Sequence, residues 1–296
     1  MEERAHGTDQ AALSSELLGF PADARVLIVN CDDLGINRSI NTAVLSAVQD
    51  GVASSCSLMV PCPATRHAMH LLREAPTVPF GIHLTLTRDS SDHRWAPVAP
   101  AAQVPSLLDH DGQLFTAQTI PQLLAQARLE DIERELRAQI DAVVGSGLTP
   151  THLDWHCLAD GGREDVLALT VALAEENGLA ARVWLGPGRR SARRRGLPVV
   201  DHDFLDSFAL DVEGKAARYV ELLRALPAGL SEWAVHPGQE DQGSRDVDLG
   251  WDVRRSDYEF LVSPLARRLI DEERIVVISY QRLQRAWTAV FASHVM

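Results

Sequence analysis

The chain has 296 residues, and its 28 Lys and Arg against 41 Asp and Glu leave a formal net charge of −13 at pH 7. Because nucleic-acid binding needs a basic surface, this balance argues against a nucleic-acid partner. The sequence has neither a run of about 18 apolar residues nor an N-terminal secretory signal, and its four cysteines form no Cys-x-x-Cys pair. We therefore expect a cytoplasmic protein with reduced thiols and no membrane partner.

The chain begins with a polar stretch over residues 1–23, for which we expect a mobile or loosely docked arm ahead of a single domain over 24–296. Beyond this arm, short runs rich in β-branched residues alternate with apolar residues at helical spacing. Eight runs predict strands, at 26–30, 52–60, 80–86, 151–156, 182–185, 199–204, 232–236 and 275–279. Six stretches predict helices, at 37–51, 64–74, 121–144, 164–177, 214–226 and 257–273. Pro264 should kink or split the last of these helices.

This alternation of strands and helices determines the predicted fold class. Strands that are separated by helices form parallel sheets with the helices outside, and eight such units predict an irregular, TIM-like (β/α) barrel. Two stretches interrupt the pattern. Residues 87–120 are too long for a turn and are expected to be functional or mobile. The run 186–198 is rich in Gly and Pro and basic over 189–195, which predicts a solvated loop, with a lid or a contact for an anionic substrate as the alternative.

Polar side chains gather at the ends of several predicted strands. Asp32 and Asp33 follow the first strand, His83 lies in the third, and His236 ends the strand EWAVH. In a parallel barrel the carboxyl ends of the strands meet at one rim, where active sites are built. These side chains are therefore predicted to converge. Two adjacent carboxylates at such a rim can divide the work, one binding a metal and the other taking a proton from water.

The fourth predicted strand carries a second polar group. His152, Asp154 and His156 are two residues apart, so all three face the same side of the strand. Burial of such groups without partners costs several kcal/mol, and a metal ion or a substrate would satisfy them. The sequence contains no phosphate loop, no dinucleotide-binding fingerprint after a strand and no serine-hydrolase elbow.

Four blocks of the sequence resemble the signatures of the YdjC-like carbohydrate deacetylases, in the order of that family. They are IVNCDDLG (28–35), FGIHLTLT (80–87), PTHLDWH (150–156) and AVHPG (234–238), and the resemblance extends over roughly residues 24–284. It implies an irregular (β/α) barrel and a metal-dependent hydrolase that removes the N-acetyl group from amino sugars such as chito-oligosaccharides. The expected partner is a small carbohydrate, and a homodimer is left open.

The resemblance also implies roles for individual residues. Asp33, His83 and His156 match the ligands of one divalent metal ion, zinc or magnesium, and His152 is the alternative ligand. Asp32 matches the catalytic base that takes a proton from the attacking water. His236 matches the general acid that protonates the leaving amine. The expected substrate contacts are His152, Asp154 and Trp155.

The chain departs from the family pattern next to two of these blocks. Cys157-Leu158-Ala159-Asp160 stand where further histidines are usual, and Gln239-Glu240-Asp241 stand where an aromatic residue is common. We expect these positions to line the substrate subsites. Two alternative functions remain at this stage: a metal-dependent phosphoesterase, which would need more metal ligands, and a catalytically silent sugar-binding protein.

Overall fold

The computed structural model describes residues 12–239 and 250–294. Residues 1–11 of the predicted arm and Glu240-Asp241 lie outside the described residues. The rest of the arm packs on the barrel through the short helix α1 (Ser14–Leu17). The backbone N–H of Ser14 donates to Asp201 at 2.9 Å, and the guanidinium of Arg282 donates to the carbonyl of Leu18 at 2.6 Å.

Within the described residues the strands form one large sheet and one small sheet. The strands are β1 (Arg25–Leu34), β2 (Ser55–Leu58), β3 (Phe80–Leu84), β4 (Thr87–Arg88), β5 (Phe115–Thr116), β6 (His152–Trp155), β7 (Ala180–Ala181), β8 (Leu205–Asp206), β9 (Gly229–Val235) and β10 (Val276–Val277). The large sheet is entirely parallel in the order β7-β6-β3-β2-β1-β9-β8, with β10 paired to the start of β1. No strand pair among the described residues joins β7 to β8. The irregular (β/α) TIM-like barrel is confirmed, and it is open between these two strands.

Helices surround this sheet, and those after α1 are α2 (Arg38–Gln49), α3 (Thr65–Glu74), α4 (Ile120–Gln126), α5 (Leu129–Val144), α6 (Glu164–Glu176), α7 (Gly186–Arg194), α8 (Lys215–Arg224), α9 (Trp251–Leu261), α10 (Pro264–Glu272) and α11 (Tyr280–His294). Local signals explain several of their ends. Asn37 caps α2 by accepting a hydrogen bond from the backbone of Ile40 at 2.8 Å. No helix in the described part of the chain combines the length and the apolarity needed to cross a membrane.

Two predicted helices differ from the observed ones because the chain breaks inside them. The helix predicted over 121–144 is divided into α4 and α5, since Ala127 is extended and the backbone of Arg128 donates to Ser106 instead of continuing the helix. The predicted split at Pro264 is confirmed. Ser263 there accepts a hydrogen bond from the backbone of Ala266 at 3.1 Å and starts α10.

The segment after β6 corrects three predictions. Residues 182–185 were predicted as a strand but form none, since β7 ends at Ala181, and the basic run predicted as a loop is the helix α7. The cause is Asp160, whose carboxylate accepts hydrogen bonds from the backbone N–H groups of Trp184 and Leu185, both at 3.1 Å. These N–H groups are therefore not available to pair with a strand, and α7 begins directly after them. Arg189 and Arg193 of α7 donate hydrogen bonds to the carbonyl groups of His202 and Val200. The strand predicted over 199–204 is therefore absent, and the next strand is β8.

The helix α11, which follows the last strand, was not predicted from the sequence. Its apolar residues repeat at helical spacing and are buried in the core. They are Tyr280, Leu283, Trp287 and Phe291. The signal for this helix was therefore present in the sequence.

Candidate active site

A cavity of about 490 Å³ opens where the carboxyl ends of the strands meet. The structure brings most of the sequence-predicted site residues to its wall: Asp32, Asp33, His83, Trp155, His156 and His236. The departures from the family pattern at Cys157, Leu158, Ala159 and Asp160 line the same cavity. The convergence at one rim follows from the parallel sheet, because every contributing strand ends at the same edge.

A β-bulge at the end of β1 directs both adjacent aspartates to the cavity. Cys31 pairs with Cys56 and Leu34 pairs with Leu58, so β1 has one residue more than β2 between the two pairs. The backbone of Asp33 lies in the left-handed region, with φ of 70°. Successive residues of a regular strand point to opposite faces, whereas a bulge redirects a side chain.

Three side chains form a compact cluster of potential metal ligands. Asp33, His83 and His156 are buried, and each offers a ligand atom within 4.8 Å of the other two. Asp33 Oδ1 lies 3.5 Å from His83 Nε2 and 3.3 Å from His156 Nδ1. This oxygen is buried and accepts no hydrogen bond of good geometry from the described residues. A buried acceptor that faces two imidazole nitrogens is suited to a cation.

A carboxylate lies behind each imidazole of this cluster. His83 Nδ1 is 3.0 Å from Asp154 Oδ1, and His156 Nε2 is 2.8 Å from Asp89 Oδ1. Such carboxylates fix the tautomer, so that the other ring nitrogen presents its lone pair to a metal. Burial lowers the pKa of His83, but the charges of Asp154 and Asp32 outweigh burial and raise that pKa to about 10. The cluster therefore has a negative potential that favours a bound cation.

Two of the predicted site residues lie beneath the cavity and not in its wall. Asp154 is fully buried. Its carboxylate contacts His83 Nδ1 at 3.0 Å and Arg182 Nη1 at 3.1 Å. His152 is also fully buried, and its ring stacks on Tyr280 with the ring centroids 3.7 Å apart. His152 precedes His156 by four residues, which is about 13 Å along a strand. It therefore lies outside the cluster that contains His156.

The absence of a side chain at Gly81 makes room for His152. A Cβ atom at Gly81 would lie 2.5 Å from the imidazole of His152, closer than packed atoms approach. Thr151 completes this buried position, with its Oγ1 2.9 Å from His152 Nδ1. The structure gives His152 a packing position inside the barrel.

The profile of the YdjC-like protein family matches residues 26–272, most of the chain. The chain belongs to the YdjC-like family. It is 31% identical over 262 residues to a carbohydrate deacetylase of Geobacillus stearothermophilus, covering 88% of this chain and 99% of that protein. It is also 31% identical over 266 residues to a chitooligosaccharide deacetylase of Serratia marcescens, again covering 88% and 99%.

A crystal structure from Enterococcus faecalis, described as a candidate cellobiose-phosphate cleavage protein, is similar to this YdjC-like protein in fold. The two share 26% sequence identity with a TM-score of 0.75, over 88% of this chain and 99% of the other. The likeness thus extends over almost the whole barrel.

In this YdjC-like protein Asp32 is held by an arginine that the sequence analysis did not identify. Arg182 donates to both oxygens of Asp32, at 2.7 and 2.9 Å, and its Nε donates to Glu232 at 2.8 Å. Burial raises the pKa of Asp32, but the charge of Arg182 outweighs burial and holds the pKa below its ordinary range. Asp32 is therefore ionised at neutral pH. The available signal was an arginine directly after β7, at the same rim as the other site residues.

His236 follows β9 and is fixed by two neighbours. Its backbone N–H donates to Asp257 Oδ2 at 2.9 Å, and its Nδ1 lies 2.8 Å from Ser207 Oγ. The ring of Phe208 packs edge-on against the imidazole, with the centroids 4.6 Å apart. These contacts fix the orientation of an imidazole that lines the cavity.

Aromatic side chains and a further arginine complete the cavity. The aromatic residues of its wall are Trp155, Trp184, Phe204 and Phe208, and the rings of Trp184 and Phe204 stack with centroids 5.0 Å apart. Arg254 donates to Asp33 Oδ2 at 2.8 Å, on the oxygen that does not face the two histidines. Arg254 and Asp89 were not predicted as site residues, because neither belongs to a recognisable sequence motif.

Proposed function

We propose that this protein is a metal-dependent carbohydrate deacetylase, which hydrolyses the N-acetyl group of an amino sugar to acetate and a free amine. The observation that carries the proposal is the cluster of Asp33, His83 and His156 in one cavity with Asp32 and His236. The deacetylases of Geobacillus stearothermophilus and Serratia marcescens, each 31% identical to this chain, support the same activity.

The donor set fits one divalent metal ion. Asp33 would contribute Oδ1, the buried oxygen without a good hydrogen bond from the described residues, and His83 and His156 would contribute Nε2 and Nδ1. Two imidazoles with one carboxylate favour zinc, since magnesium prefers an oxygen environment. When bound, the metal supplies Lewis-acid polarisation of the acetamide carbonyl and stabilises negative charge on its oxygen.

Asp32 is the proposed proton acceptor. It is kept ionised by Arg182 and lies beside the metal cluster, with Oδ2 3.8 Å from His83 Nε2. It takes the proton of the water that attacks the carbonyl carbon. Because Arg182 and Asn30 already hold the carboxylate, at 2.7 Å each, Asp32 needs no reorientation for this step.

His236 is the proposed proton donor. An amine is a poor leaving group until its nitrogen is protonated, and a positioned imidazole can supply that proton. The contacts of His236 with Ser207 and the backbone contact with Asp257 hold the ring at the cavity wall. Asp32 and His236 thus divide the two proton transfers of the hydrolysis.

The cavity also has the composition expected of a sugar site. Its volume of about 490 Å³ lies within the roughly 300–1,000 Å³ typical of small-molecule sites. The aromatic rings of Trp155, Trp184, Phe204 and Phe208 offer apolar faces, and the site carboxylates and arginines offer polar groups. A carbohydrate with an acetamide group combines both kinds of surface.

A phosphoesterase with two metal ions receives less support from the geometry. Two further groups of potential ligands border the first: Asp32, His83 and Asp154 share His83 with it, and Asp89, His156 and Cys157 share His156 with it. Arg182 lies within the group of Asp32, with Nη1 2.7 Å from Asp32 and 3.1 Å from Asp154. A guanidinium therefore occupies that position, and neither group offers a second cation three ligands that are independent of the first.

Acetate release tests the proposal. The purified protein is stripped of metal with a chelator, reloaded with zinc or magnesium, and assayed on N-acetylglucosamine and on chito-oligosaccharides of increasing length. We expect acetate only from the metal-loaded protein. The exposed His70→Ala variant is the control. Absence of acetate from every metal-loaded sample, or release of phosphate from a phosphate ester instead, would reject the deacetylase.

A further inference from the structure

A buried chain of polar groups leads from His236 away from the cavity. His236 Nδ1 lies 2.8 Å from Ser207 Oγ, and Ser207 Oγ lies 2.6 Å from Asp257 Oδ2. All three residues are buried, and Asp257 is fully so. Ser207 and Asp257 belong to none of the sequence motifs, and the mechanism above does not use the bond between them.

The surroundings of Asp257 keep it an acceptor. Lys215, itself buried, places its ammonium 2.6 Å from Oδ1, and the hydroxyl of Tyr219 donates to the same oxygen at 2.8 Å. The backbone N–H of His236 donates to Oδ2. A carboxylate paired with a buried ammonium is ionised and has no proton to donate.

The direction of each hydrogen bond follows from this. Ser207 has a single hydroxyl proton, and because Asp257 can only accept, that proton goes to Asp257. Ser207 Oγ is then left with lone pairs toward the imidazole, so Nδ1 of His236 must carry hydrogen. The other acidic group near Nδ1, Asp206 Oδ1 at 3.9 Å, favours the same assignment.

We propose that Ser207, held by Asp257, is a positioning residue that fixes neutral His236 as the Nδ1–H tautomer, so that Nε2 is the nitrogen that exchanges a proton with a ligand in the cavity. With Nδ1 committed to Ser207, protonation and deprotonation take place at Nε2, and the imidazolium donates from Nε2. The catalytic consequence rests on the proposed function, whereas the tautomer does not.

Nitrogen NMR of the histidine side chains tests the tautomer without any turnover. The zinc-loaded protein is labelled with 15N-histidine, and the resonances of His236 are assigned by their loss in His236→Gln. At a pH where His236 is neutral, we expect Nδ1 to show the 15N chemical shift of a protonated nitrogen and Nε2 that of an unprotonated nitrogen. Ser207→Thr, which keeps the hydroxyl, should preserve this pattern, and Ser207→Ala should mix the two tautomers. An Nε2–H tautomer in the wild type, or an unchanged pattern in Ser207→Ala, would overturn the proposal.

Steady-state kinetics on a chito-oligosaccharide adds the catalytic consequence. Ser207→Ala should lower kcat by up to the roughly 10²-fold to 10⁴-fold that a general acid contributes, with KM nearly unchanged. Ser207→Thr should restore most of kcat. Ser106→Ala is the matched control, because it removes a serine–aspartate bond of 2.8 Å to Asp131 away from the cavity. An unchanged kcat in Ser207→Ala would remove the positioning role. If the wild type releases no acetate, the deacetylase fails, and the NMR comparison still decides the tautomer.

Discussion

Arg182 and Asp32 form a bidentate ion pair in the interior of the barrel, with N–O distances of 2.7 and 2.9 Å. The two residues are 150 positions apart in the chain, and both are buried. The same guanidinium donates to Glu232 at 2.8 Å. Arg182 therefore both keeps Asp32 ionised and determines the direction in which its carboxylate points.

Replacing Arg182 with Lys tests this second effect. Lysine retains the positive charge but lacks the planar fork that binds both oxygens of a carboxylate. We expect kcat for acetate release to fall by up to the roughly 10²-fold to 10⁴-fold that a general base contributes. Bound metal should be unchanged, because the ion pairs of Arg182 with described residues go to Asp32, Asp154 and Glu232 and not to the three cluster residues. Arg195→Lys, at an exposed pair with Glu175, is the control. Equal activity of the two variants would contradict the positioning of Asp32 by Arg182.

Substitutions in and around the metal cluster should lower metal affinity to different degrees. His83→Ala and His156→Ala should lose bound metal with the fold retained, as measured by elemental analysis and circular dichroism. Asp154→Asn, which alters the group behind His83 and also the pair with Arg182, should weaken metal binding by about 10-fold to 100-fold. His70→Ala, at an exposed histidine, should bind metal like the wild type. Full metal content in His83→Ala or His156→Ala would exclude that residue as a ligand.

Asp32 and Asp33 are adjacent but have different proposed roles, which substitution separates. Asp32→Asn should keep the metal and lose about 10²-fold to 10⁴-fold in kcat, the usual contribution of a general base. Asp33→Asn should lose metal affinity as well as activity, because it removes a charged ligand. Metal content and kcat are measured on the same preparations. Near wild-type turnover of metal-loaded Asp32→Asn would exclude it as the base.

The long connection after β3 contains an ion pair that links stability to pH. Arg88 is buried, and its Nη2 lies 2.6 Å from Asp109 Oδ2. Burial raises the pKa of Asp109, but two backbone N–H groups and the guanidinium of Arg88 outweigh burial and hold the pKa below its ordinary value. A lowered pKa in the folded state means stability that is present above the ordinary aspartate pKa of about 3.9 and is lost as the pH falls through the lowered value.

Asp109→Asn replaces one of two acceptor oxygens with a donor that faces Arg88. We expect the free energy of unfolding at pH 7 to fall by about 1–3 kcal/mol, as measured by urea denaturation. The difference from the wild type should shrink as the pH falls below about 4 and then through the lowered pKa of Asp109, where the wild-type carboxyl becomes protonated in the folded state as well. The exposed Asp92→Asn in the same connection is the control. A difference that does not change with pH would show that the charge of Asp109 contributes nothing to stability.

The sequence correctly predicted those helices and strands whose boundaries are determined by residues nearby in the chain. The strand–helix alternation predicted the parallel barrel, the cap at Asn37 lies where its side chain accepts from Ile40, and Pro264 splits its helix. Where a distant group intervenes, prediction failed. The basic run became α7 because Asp160 holds the backbone at Trp184 from 24 positions away.

The candidate site shows the same division. The convergence of Asp33, His83 and His236 was predicted from the sequence, since the carboxyl ends of parallel strands meet at one rim. The spacing of His152 and His156 did not decide which of the two lies at that rim. In the structure His156 reaches the cavity, because it follows the last residue of β6, and His152 packs inside the barrel.

The sequence by itself determined the alternation of strands and helices, the class of barrel that follows from it and the residue types that gather at its rim. These depend on periodicity and on chain direction, which are local properties. Only the tertiary structure decided the partners: Asp89 behind His156, 67 positions away, Arg182 on Asp32, 150 positions away, and the bulge that directs Asp33 into the cavity. Which buried polar groups pair depends on strand register and on the loss of competing water, and both are defined only when distant segments pack together.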